Sequence, residues 1–297
     1  MKEPKAIDVF LLILLGAIWG SAFFNIKIAT YTYDPITLVF VRVFFALIAL
    51  SFYCVYKNIK ILAFSKEWKI YAIVGLTNIT IPFLLIAYGT NVVDSYLSAI
   101  LMSTTPLSGT LLAHFFTSNE KLNTFKLLGV LVGFLGIVFL FFDKLIISEN
   151  NILYALIILC GSTFYVIGGI LTLKFLKNDG MENVSTSTIL WSLIFLFPFC
   201  LYQQPWTNLS PSMESTIALI YLGVFPTGVA FMLRFHILTK VGMVFQTQVA
   251  YLIPIFGVFF SYIIMNEQIS WKVLVSLLII ISGIFMVKRG NKGIQSE

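Results

Sequence analysis

The chain has 297 residues, of which 59% are hydrophobic and only 11% charged, with a mean hydropathy of +0.96 and a formal charge of +6. Soluble domains carry about a quarter charged residues, so this composition excludes an ordinary water-soluble domain and points to a chain solvated by lipid. The Lys and Arg residues stand singly between apolar runs instead of forming a basic stripe, which excludes a nucleic-acid surface.

A bilayer core about 30 Å thick takes about 20 apolar residues in helical form, because backbone polar groups cannot be left unpaired in lipid. Ten stretches meet that requirement: 7–27, 36–56, 69–90, 94–117, 123–142, 151–173, 184–203, 214–234, 242–264 and 271–288. The first follows Lys2 and Lys5 and so has the flanks of a signal peptide. It is long for a cleavable segment and nine similar runs follow, so it reads as the first span. Cys54, Cys160 and Cys200 all fall inside apolar segments and form no CxxC pair, so neither a disulfide frame nor a metal site is expected.

Short cytoplasmic loops are enriched in Lys and Arg. With the N-terminus inside, fourteen of the nineteen basic residues lie on the cytoplasmic side and only Lys27, Lys144 and Lys272 outside. Both termini are therefore expected in the cytoplasm. Arg42 and Arg234 remain within spans, where a charge is expensive unless it snorkels, pairs or faces a wet cavity. Arg42, near the outer end of its span, could do any of these; a guanidinium facing the pathway would favour a carboxylate or other anion. His114 is the one imidazole within a span and reads either as a packed neutral side chain or as a group titrating near neutral pH. No Asp or Glu lies deep in any span, so proton coupling through an intramembrane carboxylate has no support.

Glycine-spaced patterns, Gly16 with Gly20 and Gly129 with Gly133, allow close helix approach, first within one molecule and second in a weak homodimer. Pro106 and Pro254 each remove a backbone donor at mid-span, giving a kink and an exposed carbonyl. Thr104, Thr105 and Ser108 beside the first, with Gln248 and Tyr251 before the second, either hold a ligand or bond their own helix.

The chain also repeats itself. An offset of 148 pairs Asp34 with Glu182, Gly75 with Gly223 and Pro106 with Pro254; one residue fewer pairs Asn119 with Asn266, Glu120 with Glu267 and Gly136 with Gly283. Two halves are expected, residues 1–147 and 148–297. Each has five spans, an odd number, so the halves would be inverted in the membrane. That arrangement serves alternating access in many secondary transporters.

"WGSAFFNIKIA" from Trp19, the Asp34-Pro35 turn leading to Arg42, and the run from Asn91 through Pro106, Glu120, Gly129, Gly133 and Gly136 resemble the drug/metabolite transporter superfamily, specifically its EamA-type members. The second half departs from the pattern, with Leu190 where the repeat would place a counterpart of Arg42. The resemblance implies an all-α integral membrane fold of ten helices. It also implies a cavity between the halves and carriage of small organic metabolites, often amino acids, out of the cell across the cytoplasmic membrane. Trp19, Phe23, Asn78, Tyr88, Met102, Phe164 and Tyr165 fall on the helices that such proteins place around the cavity. Aromatic faces there would bind apolar bodies while amides fix orientation. An uptake carrier or exchanger for a nucleoside-like or cofactor-like metabolite is the alternative.

Other classes fit less well. An intramembrane enzyme would need paired mid-span Asp residues, a Ser/His pair or HExxH, and a channel would need carboxylate rings or filter loops. The sequence holds none of these, nor a Walker loop that would make ATP the energy source. The reading is a carrier without a cofactor, whose partners are a small molecule and the bilayer.

Overall fold

The computed structural model describes residues 5–116, 123–141, 149–176, 178–203, 211–240 and 249–292. Among these residues the regular structure is entirely helical. In chain order the helices are α1 (Ala6–Gly20), α2 (Ala22–Ala29), α3 (Pro35–Tyr56), α4 (Trp68–Gly75), α5 (Ile81–Val92), α6 (Ser95–Ser103), α7 (Thr105–Phe116), α8 (Thr124–Phe141), α9 (Glu149–Phe175), α10 (Met181–Gln203), α11 (Met213–Leu222), α12 (Ala230–Lys240), α13 (Val249–Met265) and α14 (Trp271–Lys292). Two π-helical segments, Leu76–Thr80 and Gly223–Val229, run between α4 and α5 and between α11 and α12.

Six helical stretches are long and apolar enough to cross a membrane: Ala6–Ala29, Pro35–Tyr56, Trp68–Val92, Ile152–Phe175, Met181–Gln203 and Met213–Arg234. Their outward faces carry large apolar side chains such as Phe10, Phe52, Val55, Phe199 and Ile217. Water-soluble monomers rarely expose so much apolar surface, and lipid accounts for it.

Local signals set the helix ends. Asp34 accepts hydrogen bonds from the backbone N–H groups of Ile36 (2.9 Å) and Thr37 (3.0 Å), with Pro35 opening α3. This is an N-cap followed by a proline where no donor is needed. The expected fourth span is divided at Thr104, just before Pro106. Pro106 cannot donate, and the hydroxyls of Ser103 and Thr104 turn back onto the carbonyls of Ile100 (2.7 Å) and Leu101 (2.6 Å). Glu120, the boundary between 147 and 148, and the expected start of the ninth span at 242 all lie outside the described residues.

Helix backbones meet where glycine leaves room. A Cβ built on Gly129 would stand 2.6 Å from the Gly283 carbonyl, and one on Gly283 would stand 2.5 Å from the Gly133 nitrogen. The close approach of α8 and α14 therefore excludes any side chain at these positions, and the contact is within one molecule. Gly16 and Gly20 likewise lie against Leu252 and Phe256 of α13.

The two π segments make matching contacts across the molecule. A Cβ on Gly75 would meet the Thr188 carbonyl at 2.6 Å and the Ser192 nitrogen at 3.3 Å, both on α10. A Cβ on Gly223 would meet the Arg42 carbonyl at 2.8 Å and the Ala46 nitrogen at 3.5 Å, both on α3. Thr80 and Thr227 then play the same part. Each donates its hydroxyl to the carbonyl five residues back, Gly75 (3.2 Å) and Leu222 (2.9 Å), and each bonds across to the partner helix. Thr80 reaches Ser192 at 2.8 Å, and Thr227 accepts from Arg42 Nε at 3.0 Å. Thr188 thus meets Gly75 as Arg42 meets Gly223, two residues before the Leu190 that a constant offset selects.

Candidate functional site

The interior between α3, α5, α9 and the Gly223–Val229 segment holds a buried positive charge. Arg42 is 8% exposed. Its guanidinium lies 4.0 Å over the Phe83 ring, and its Nε donates to Thr227. Phe83 in turn packs on Tyr165, their ring centroids 6.1 Å apart. Tyr165 stands on α9, so Arg42, Phe83 and Tyr165 bring α3, α5 and α9 together. Arg234, on α12, is half-buried, yet its Nε is shut off from solvent and has no hydrogen-bond partner among the described residues. No carboxylate lies within ion-pair distance of either guanidinium among those residues. Arg42 is therefore no snorkelling residue; it points into the protein.

Several residues expected at the site lie close to this cluster. Phe23 is a buried member of the apolar cluster that includes Phe83, and Met102 and Tyr165 pack against it. Met102 also packs against a second cluster, on which Tyr251 rests. Phe164 is half-buried beside Tyr165 on α9. Asn78, in the first π segment, has its Cα and Cβ directly against Gly168 of α9.

Others are placed differently. Tyr88 is 38% exposed. The Thr105 hydroxyl donates to the Met102 carbonyl, 2.5 Å away, so its donor serves its own helix. Trp19 donates its indole N–H to the Pro226 carbonyl at 3.0 Å, a link between α1 and the second π segment. Pro254 is buried in α13, Pro106 sits half-buried at the start of α7, and His114 is half-buried toward the end of α7. Gln248 lies outside the described residues. A surface recess of about 410 Å³, lined by Asn25, Ile28, Glu214, Ile217, Ala218 and Ile264, is separate from the arginines and offers no comparable convergence of polar groups.

Two groups escaped sequence reasoning. Phe83 and Thr227 are the immediate neighbours of Arg42. An apolar ring and a threonine in apolar runs carry no signal until the fold brings them to a charge. Among the described residues no cluster of three His, Cys, Asp or Glu could hold a metal ion.

Fold and site together define a multi-pass membrane protein with a cationic interior. The profile of the EamA-like transporter family matches residues 6–142 and 152–289, and the chain belongs to that family. It is similar to the uncharacterized transporter YoaV of Bacillus subtilis, at 24% identity over 93% of this chain and 94% of that protein. An uncharacterized transporter of Archaeoglobus fulgidus is also 24% identical, over 93% of this chain and 95% of its own length. Protein PagO of Salmonella typhimurium is 24% identical over 96% and 93% respectively. A solved crystal structure superimposes with a TM-score of 0.70 over 96% of this chain and 98% of the other at 14% identity, a likeness of fold alone.

Proposed function

We propose that this membrane transporter is a secondary carrier that moves a small organic metabolite across the cytoplasmic membrane by alternating access, exporting an amino acid or a related compound. The reading takes the chain as ten spans in two inverted halves, 1–147 and 148–297, with both termini inside and a monomer or weak homodimer as the working unit. The observation that carries it is the reciprocal packing of the two π segments. Gly75 and Thr80 meet α10 much as Gly223 and Thr227 meet α3, with Thr188 and Ser192 in the places of Arg42 and Ala46. Each half thus lays a locally wider helix against the other half's second helix. Such reciprocity supports two related units rocking about a shared centre. π-bulges are frequent at functional sites, and they let a helix change register without losing its whole hydrogen-bond ladder.

Phe23, Asn78, Tyr88, Met102, Thr105, Phe164, Tyr165, Gln248 and Tyr251 are proposed to line the pathway, with Trp19 bracing it through the Pro226 carbonyl, Arg42, His114 and Arg234 as its charges and Pro106 and Pro254 as its kinks. The test is counterflow. Proteoliposomes holding the purified full chain and loaded with a metabolite extract of the source cells should exchange labelled amino acids faster than protein-free vesicles. Exchange no faster than the control, for amino acids and for the rest of the extract followed by mass spectrometry, overturns the reading.

A further inference from the structure

Burying a charge is costly unless it is paired and hydrogen-bonded, and a single unpaired guanidinium inside a membrane protein already calls for an explanation. Arg42 is such a group: among the described residues no carboxylate lies within ion-pair distance of it.

The hydrogen-bond inventory sharpens the point. Arg42 uses only its Nε, on Thr227, among the described residues. Thr227 spends its own proton on Leu222, so it meets Arg42 as an acceptor. Both Nη groups of Arg42 are left with donors unspent, as is the Nε of Arg234. The Phe83 ring under Arg42 holds the guanidinium plane but accepts no strong hydrogen bond. Tyr165 can donate its hydroxyl to an incoming oxygen. Arg42 lying over Phe83, with Tyr165 against the same ring, is thus a set of donors on α3 and α9 without an acceptor to match. A carboxylate, acceptor-only with two oxygens and about four lone-pair directions, is the complementary group.

We propose that Arg42 and Tyr165 form the binding site for the carboxylate of an organic anion or zwitterion, with the Phe83 and Met102 side receiving its apolar part. This rests on the transport reading and narrows it, since it makes a negatively charged group a requirement of the substrate. It excludes amines and uncharged sugars as principal cargo. Guanidinium and carboxylate pair bidentately, so the clamp also fixes orientation.

The purified full chain in detergent tests this by thermal unfolding. The probes are a panel of aliphatic and aromatic monocarboxylates and α-amino acids, each beside its primary amide, with sodium chloride as the inorganic control at equal ionic strength. Stabilisation by members of the carboxylate set and not by their amides is expected. Arg42→Gln should weaken the best carboxylate roughly tenfold or more, since a hydrogen bond to a charged group is lost. Arg42→Lys should recover part of that loss, and Tyr165→Phe should have an intermediate effect. The Tyr165 hydroxyl makes no hydrogen bond among the described residues, so the phenylalanine variant should fold. Four results overturn the proposal: equal stabilisation by the amides, equal stabilisation by chloride, no stabilisation by any carboxylate, or wild-type concentration dependence in both Arg42→Gln and Tyr165→Phe. Counterflow in proteoliposomes separates the two levels. Flux without selectivity for carboxylates overturns the clamp alone, and absence of all flux overturns the transport reading beneath it.

Discussion

Glu267, in the turn after α13, caps the start of α6 at Ser95, 172 positions earlier in the chain. One carboxylate oxygen accepts from the Ser95 N–H at 2.9 Å, the other from the Tyr96 N–H at 3.2 Å, and the Ser95 hydroxyl lies 3.0 Å from both. The Ser95 hydroxyl also meets Ser261 of α13 at 2.7 Å. Asn266 holds the turn with φ of 53°, a left-handed conformation that asparagine tolerates better than most residues. A negative charge at the N-terminus of a helix is doubly favoured, by the unpaired N–H groups there and by the helix dipole.

Glu267→Ala should therefore lower the stability of the purified protein by about 1.5–3 kcal/mol, the usual worth of hydrogen bonds to a charged group. Glu267→Gln keeps an acceptor and should fall between the two. Unfolding midpoints of the three proteins in one detergent give the ranking. An alanine variant as stable as wild type would show that water replaces the cap.

Neighbouring glycines on α9 should behave oppositely. A Cβ on Gly168 would stand 2.5 Å from Asn78 Cβ and 2.9 Å from its backbone nitrogen, whereas one on Gly169 meets nothing within 4 Å. Gly168→Ala must push α9 away from the first π segment and should reduce both folded yield and transport. Gly169→Ala should be neutral or gain up to about 1 kcal/mol, the helix-propensity difference between the two residues. Fluorescence-detected size exclusion after heating compares them, and equal behaviour would refute the close packing.

Much of this fold was legible because lipid imposes one rule on every span. Apolar length predicted the positions of the helices to within a few residues over most of the described chain. The caps were partly legible, since Asp34-Pro35 is a local signal that α3 obeys. Glu267 was visible only as a landmark of the repeat, because its partners Ser95 and Tyr96 are distant in sequence and became neighbours only through folding. The same limit applied to the site. Arg42 stood out as a charge in an apolar run, but its burial, the Phe83 ring and the Thr227 hydroxyl depend on how α3 meets α5 and the second π segment. Thr105 shows the converse: a hydroxyl in a promising place that bonds its own helix, a choice that no pattern of residue types decides.

Orientation rests on the charge bias and has a direct check. In a background lacking Cys54, Cys160 and Cys200, single cysteines at Asn58 and Asn178, both exposed, should react with an impermeant thiol reagent only after lysis. Cysteines at Tyr31 and Met213, also exposed, should react in intact cells. The opposite pattern would invert the topology, and labelling of all four in intact cells with sealed membranes would refute the inverted halves.

Trp19 decides between a ligand contact and a structural strut. Its indole N–H is committed to the Pro226 carbonyl, inside the π segment that also presents Thr227 to Arg42. A carbonyl at a helix irregularity within a membrane protein has no water to turn to, and leaving it unpaired costs about 1–3 kcal/mol. Trp19→Phe keeps most of the packing against the cluster around Leu15, Ile18 and Ala230 while deleting that donor. The variant should lose stability by that amount and, through a loosened π segment, lower the maximal transport rate. The half-saturation concentration should stay unchanged, because no atom that touches the ligand has been removed. A raised half-saturation with wild-type stability would reverse the assignment and return Trp19 to the wall of the binding cavity.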